Sequence, residues 1–154
     1  ENSLDEATEV VAKVTLFDMP ATIDIADELI SSNKIKGIKY LRGDFLSDDI
    51  GNGYDLIFIS QILHAYSEED SVELIGKCKK SLNPGGRLAI QEFFINEERT
   101  HPPRSALFSV NMLLGARGGR CYSVKEMKRW LKDAEFGNIK EKMLDDTVLV
   151  QGRL

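Results

Sequence analysis

Apolar residues along this chain fall into two alternating patterns, short continuous runs and stripes spaced three or four apart, which predict strands and helices in turn. Residues 13–17 (KVTLF) are β-branched and apolar and end at Asp18, and Pro20 suits the first turn of a helix over 21–32. Within it Ile23, Ile25, Ala26, Leu29 and Ile30 keep helical spacing. Gly37 precedes a strand at 38–42, which Gly43-Asp44-Phe45 ends. Residues 55–60 form an unbroken apolar run bounded by turn residues, the pattern of a central parallel strand covered on both faces. Ser67 and Asp70 fit a capping box opening a helix, with Val72, Leu74, Ile75, Cys78 and Leu82 on its buried face and Lys79 and Lys80 near its negative end. Asn83-Pro84-Gly85-Gly86 is a turn leading into a strand at 87–92, followed by helices over 102–114 and 124–134. The last apolar segments, around Ile139 and Val148, flank Asp145-Asp146 as an antiparallel hairpin. At the other end, Ser3 and Glu6 form a capping box that predicts a helix over 4–12.

This order of elements specifies an α/β fold, a mostly parallel Rossmann-like sheet closed by a carboxyl-terminal antiparallel hairpin. No repeat or linker interrupts it, so residues 1–154 read as a single domain. A strand, a crossover helix and a parallel strand bring His64 and Glu92 to neighbouring strand ends on one sheet edge, where open α/β folds build their sites. An imidazole beside a carboxylate is a general base with a partner that orients it.

Charge and cysteine content narrow the setting. Asp and Glu number 25 against 20 Lys and Arg, for a net charge of −5, and the basic residues are scattered, so nucleic acid is a poor partner. Cys78 and Cys121 lack metal-type spacing, and no leader or long apolar span is visible, so the expectation is a soluble cytoplasmic chain without metal or membrane.

The segments FDMP, RGDF, LHAYSEED, LNPGGRLAIQEFF and MLLGARGGRCYS occur in an order and spacing that resembles the S-adenosylmethionine-dependent O-methyltransferases, of the plant caffeate type and the bacterial small-molecule type. The likeness runs from about Val14 to the end. It implies S-adenosylmethionine as cofactor and a hydroxyl on a small aromatic molecule as methyl acceptor. It further implies that Asp18 accepts hydrogen bonds from the ribose hydroxyls, Met19 lies against the adenine, Asp44 binds the adenine amino group and Phe45 flanks the base. Ser60 and Gln61 fall near the methionine moiety, His64 is the catalytic base, Glu92 orients it and stabilises its protonated form, and Met112 belongs to the acceptor pocket.

Each residue also has a plainer reading. A lone histidine before a helix is commonly a cap or solvated, Asp18 could cap the helix after it, and Asp44 could be a turn residue. Phe108 and Trp130 at helical positions read as core, as does Cys78, and His101 reads as a loop residue.

The chain departs from the family pattern in two ways. Cys121 stands where a second glutamate is common, with Ala65 in place of the aspartate that usually follows the histidine. The glycine-rich loop expected before FDMP, whose strand would lie between those ending at Asp18 and Ser60, is missing, as is the amino-terminal dimerisation domain. The expectation is therefore a fragment, ahead of a natural truncated member or a variant in which residues 3–12 rebuild the gap, with weak or absent cofactor binding alone and exposed strand edges that favour homo-oligomers. The rivals are a noncatalytic interaction module with this fold and, more distantly, a nucleotide-dependent oxidoreductase.

Overall fold

A computed structural model describes residues 12–116 and 118–154, so the helix expected over 4–12 lies almost wholly outside the described residues. They divide into two compact units, one ending at Asp49 and one starting at Ile50.

In the first unit, β1 (Val14–Asp18) and β2 (Ile38–Arg42) pair in parallel, Val14 opposite Ile38 and Asp18 opposite Arg42, with α1 (Pro20–Ser32) as the crossover. Pro20 starts α1 where its missing N–H costs no helical hydrogen bond, and Asn33 closes the helix by donating from Nδ2 to the Leu29 carbonyl at 2.7 Å. Of the apolar stripe on α1 only Ile23 is fully buried, while Ile25 and Leu29 are each about three-fifths exposed.

The second unit begins with β3 (Tyr54–Ser60), a 3₁₀ turn (Leu63–Ala65), α2 (Glu68–Ser81) and β4 (Leu82–Phe93). It continues with α3 (Pro103–Gly115), α4 (Val124–Asp133), β5 (Gly137–Leu144) and β6 (Thr147–Arg153). Its sheet runs β3-β4-β6-β5, with β3 parallel to β4 and the β5–β6 hairpin antiparallel, β6 lying beside β4. This is the parallel sheet with a terminal hairpin that the sequence predicts. The core gathers Leu63, Ile75, Leu88, Ile90, Met127, Leu131, Val148 and Val150, all without solvent exposure, each side chain contributing about 1.5–3 kcal/mol.

Three details differ from the sequence reading. Among the described residues β3 is an edge strand, since no strand pairs with its outer side, and Leu56 and Phe58, which share one face, are 58% and 53% exposed. The turn at 83–86 is a bulge inside a longer β4: Tyr54 pairs with Leu82 and Leu56 with Arg87, so α2 passes straight into the strand. Gly85 there has φ +76°, a backbone conformation that suits glycine. Finally, Ser67 caps α2 by accepting from the Asp70 N–H, but the reciprocal capping box is at Ser123 and Glu126, opening α4.

Candidate active site

Strand ends position the sequence-predicted residues in both units. In the first, Asp18 closes β1 and Asp44 follows β2, and the Gly43 N–H donates to the Asp18 carbonyl at 3.1 Å, so both lie beyond the carboxyl ends of adjacent parallel strands. Asp18 Oδ1 accepts from the Met19 N–H at 2.7 Å, and Asp44 Oδ1 accepts from the Leu46 N–H at 2.9 Å. Met19 is 46% exposed at the entry to α1, and Phe45 is partly buried.

In the second unit, Ser60 closes β3 opposite Gln91, and the Gln61 N–H donates to the Gln91 carbonyl at 2.8 Å. Gln61 takes φ 55°, a left-handed bend that turns the chain into the 3₁₀ turn carrying His64. Its Nδ1 lies 2.7 Å from Glu92 Oε2, and the Leu63 N–H donates to the other oxygen, Oε1, at 2.7 Å. Glu92 is 1% exposed and His64 13%. A carboxylate only accepts, so Nδ1 carries a ring proton, and in the neutral ring Nε2 is then the nitrogen with the lone pair. The pair is thus a base held in one tautomer by a buried anion.

Two phenyl rings bound the imidazole. Phe108 on α3 meets it edge to face at 5.0 Å, Phe93 is tilted at 6.2 Å, and the two phenyls are 5.1 Å apart. Phe108 therefore lines the site, whereas its helical spacing reads as core. The signal lay in Met112, which stands four residues on, one turn along the same helix face. Phe93 had no signal beyond following Glu92. Trp130 and Cys78 are core residues, 2% and 1% exposed, and His101 lies in an exposed loop with Nδ1 2.9 Å from Thr100 Oγ1.

Cys121 is fully buried, its N–H donating to Ser109 Oγ at 3.1 Å. Burial, helped by the Glu92 charge, pushes its thiol up to about 11, so it faces the carboxylate as a neutral group. A surface cavity of about 650 Å³, lined by Asn96, Arg99, Lys125, Lys128 and Lys132 among others, includes neither His64 nor Glu92. No helix among the described residues is long and apolar enough to cross a membrane.

A sequence profile of the O-methyltransferase domain matches residues 10–137. The 3-hydroxy-5-methyl-1-naphthoate 3-O-methyltransferase of Streptomyces sahachiroi is 32% identical over 127 residues, covering 82% of this chain and 36% of that protein. A structure of PigF with SAH aligns at a TM-score of 0.83 and 28% identity, over 92% of this chain and 43% of that one. An O-methyltransferase family protein from Burkholderia thailandensis, at 23% identity, shares the fold at a TM-score of 0.82 over 90% of this chain and 42% of its own. The chain spans about a third of the length of the curated relatives it matches.

Proposed function

The chain belongs to the O-methyltransferase family, whose members are S-adenosylmethionine-dependent and methylate small molecules, and from that premise we propose that it carries the catalytic pair of an enzyme methylating an aromatic hydroxyl. The observation that carries this reading is the contact of His64 Nδ1 with buried Glu92 at 2.7 Å beside two phenyl rings. We read the chain as one catalytic portion of a longer protein, the outer side of β3 being the place for a further parallel strand.

The residues present fit the cofactor's chemistry. A carboxylate suits a ribose diol, and Asp18 keeps Oδ2 beyond the bond it makes to the Met19 N–H. In the first unit Asp18, Met19, Asp44 and Phe45 would hold the nucleoside end. When bound, S-adenosylmethionine supplies a methyl group on a sulfonium, an electrophile that needs no metal. His64 Nε2 takes the proton of the acceptor hydroxyl as its oxygen becomes the nucleophile, a service worth roughly 10²–10⁴-fold in rate. Glu92 keeps the ring turned and faces the positive charge that then forms on it. Phe93, Phe108 and, one turn further, Met112 offer a flat acceptor an apolar wall that keeps water from the base. The Streptomyces relative, named for a hydroxylated naphthoate, supports an acceptor of that class.

Calorimetric titration with S-adenosylhomocysteine, with Asp18→Ala as control, tests the cofactor reading, and methyl transfer to hydroxynaphthoates tests the reaction. Heat that depends on Asp18 is the expected result. A folded chain that stays silent, even inside a full-length protein carrying the glycine-rich loop, would overturn the reading in favour of a noncatalytic interaction module.

A further inference from the structure

One segment, residues 118–123, touches the backbone on both sides of the catalytic pair. A Cβ on Gly119 would stand 2.5 Å from the His64 carbonyl oxygen and one on Gly118 3.1 Å from Ser67 Cβ, so the segment lies flat against the turn that carries the imidazole. The Tyr122 hydroxyl donates to the Tyr66 carbonyl at 2.7 Å. On its other side, Tyr122 bridges Phe94 in parallel and its carbonyl accepts the Ile95 N–H at 3.3 Å, just beyond the strand that carries Glu92. The segment therefore spans the gap between the His64 turn and the end of β4.

Arg120 fixes this segment. Its guanidinium lies 4.2 Å over the Tyr122 ring, and Nη2 donates to Glu68 Oε2 at 3.1 Å and to Glu126 Oε1 at 2.9 Å. Glu68 opens α2 directly after the His64 turn, and Glu126 closes the capping box of α4. Glu68 also receives the Trp130 indole N–H at 3.1 Å and pairs with Arg129, so both carboxylates are held from elsewhere. Nη1 lies buried, with no hydrogen-bond partner among the described residues. The single nitrogen Nη2, bridging two carboxylates at two helix starts, sets the spacing between those starts.

We infer that Arg120 is a positioning residue: through Tyr122 and Glu68 it holds the His64 turn at the distance where Glu92 grips Nδ1 and fixes the tautomer. The inference deepens the catalytic reading above and rests on it for its purpose, but its test needs neither cofactor nor acceptor. Long-range nitrogen–proton NMR of the imidazole in the full chain reads the tautomer of His64 directly. In the parent sequence one tautomer, protonated at Nδ1, is expected. Arg120→Met should give averaged ring-nitrogen signals while the amide signals of β4 and β6 stay in place. Arg120→Lys, which keeps the charge but lacks the planar fork, should fall between them. Tyr122→Phe, lacking only the hydroxyl that holds the Tyr66 carbonyl, should reproduce part of the effect. Where methyl transfer is measurable, Arg120→Met should lower kcat by up to about 10²-fold with KM unchanged. A folded Arg120→Met with an unchanged His64 tautomer would overturn the inference, as would unfolding of Arg120→Lys and Tyr122→Phe alike. Absence of methyl transfer, with the tautomer still dependent on Arg120, would count against the enzyme reading alone.

Discussion

Leu63 and His64 grip the two oxygens of one carboxylate: the Leu63 N–H donates to Glu92 Oε1 and the imidazole meets Oε2, both at 2.7 Å. Backbone and ring are thereby registered against β4 by a single buried side chain. Glu92→Gln is nearly isosteric, yet with its amide oxygen on the Leu63 N–H its amide nitrogen can only donate to Nδ1, which moves the ring proton to Nε2 and removes the charge-assisted bond. We expect a stability loss of about 1–3 kcal/mol, read by urea titration, together with a loss of kcat. Unchanged stability would mean that the carboxylate's charge adds nothing to these two bonds.

His64→Ala and Asp18→Ala should separate chemistry from binding in a protein that turns over. The first is expected to lower turnover by about 10²–10⁴-fold with little change in cofactor affinity, the second mainly to weaken affinity. Calorimetry and steady-state kinetics on both variants check the split, and equal losses of affinity would contradict the assigned roles.

Glycine content can be tested at two contrasting places. Gly119→Ala forces a methyl group within 2.5 Å of a backbone oxygen and 3.0 Å of Ala116 Cβ, so a cost of about 1–3 kcal/mol is expected. Gly76, inside α2, has nothing within 4 Å of an added Cβ, and Gly76→Ala should stabilise by about 0.5–1 kcal/mol. Thermal melts of the two variants should move in opposite directions.

Acid should loosen α4 only well below neutral pH. Burial alone would raise the Glu126 carboxyl, but the Arg120 and Ser123 hydrogen bonds and the charges of Arg120 and Arg99 outweigh it and hold it at about 2. A depressed carboxylate contributes stability that is complete above its unfolded value near 4.3 and is lost as pH falls towards 2. Glu126→Gln should flatten the fall in melting temperature over that window. An identical pH profile in parent and variant would remove Glu126 as its source.

Thiol chemistry follows from burial. The Cys78 thiol is pushed up to about 12, chiefly by burial, and Cys121 to about 11, so neither offers thiolate at pH 8. An aromatic disulfide reagent should label neither in the native chain and both in denaturant. Fast native labelling would place at least one thiol at the surface.

The strands and helices of both units were legible because their apolar periods are long and unambiguous, as in residues 55–60 and in the hairpin around Asp145. The His64–Glu92 pair was legible because a right-handed crossover leaves parallel strands ending on one edge. What the sequence hid depends on side-chain meetings far apart in the chain. Phe108 looks like any core aromatic until α3 is laid against the 3₁₀ turn, and Arg120 looks like a solvated charge until Glu68 and Glu126 converge on it. Ser123 carries a capping signal in the sequence as well, Ser-x-x-Glu before an apolar stripe. The edge position of β3 could not be read from its own residues, since an unbroken apolar run describes the faces of a strand and not its neighbours.

The bulge in β4 bears on all of this through parity. From Tyr54 to Leu56 is two steps along β3, while from Leu82 to Arg87 is five along β4, so an odd number of residues is absorbed before regular pairing resumes. Side chains alternate along a strand, and a change of one residue in that absorbed length exchanges the two faces of everything downstream. Glu92 would then turn away from the imidazole, and a neighbouring residue, Gln91 or Phe93, would take its station. The length of a glycine turn at one end of a strand thus decides whether the other end presents an acid.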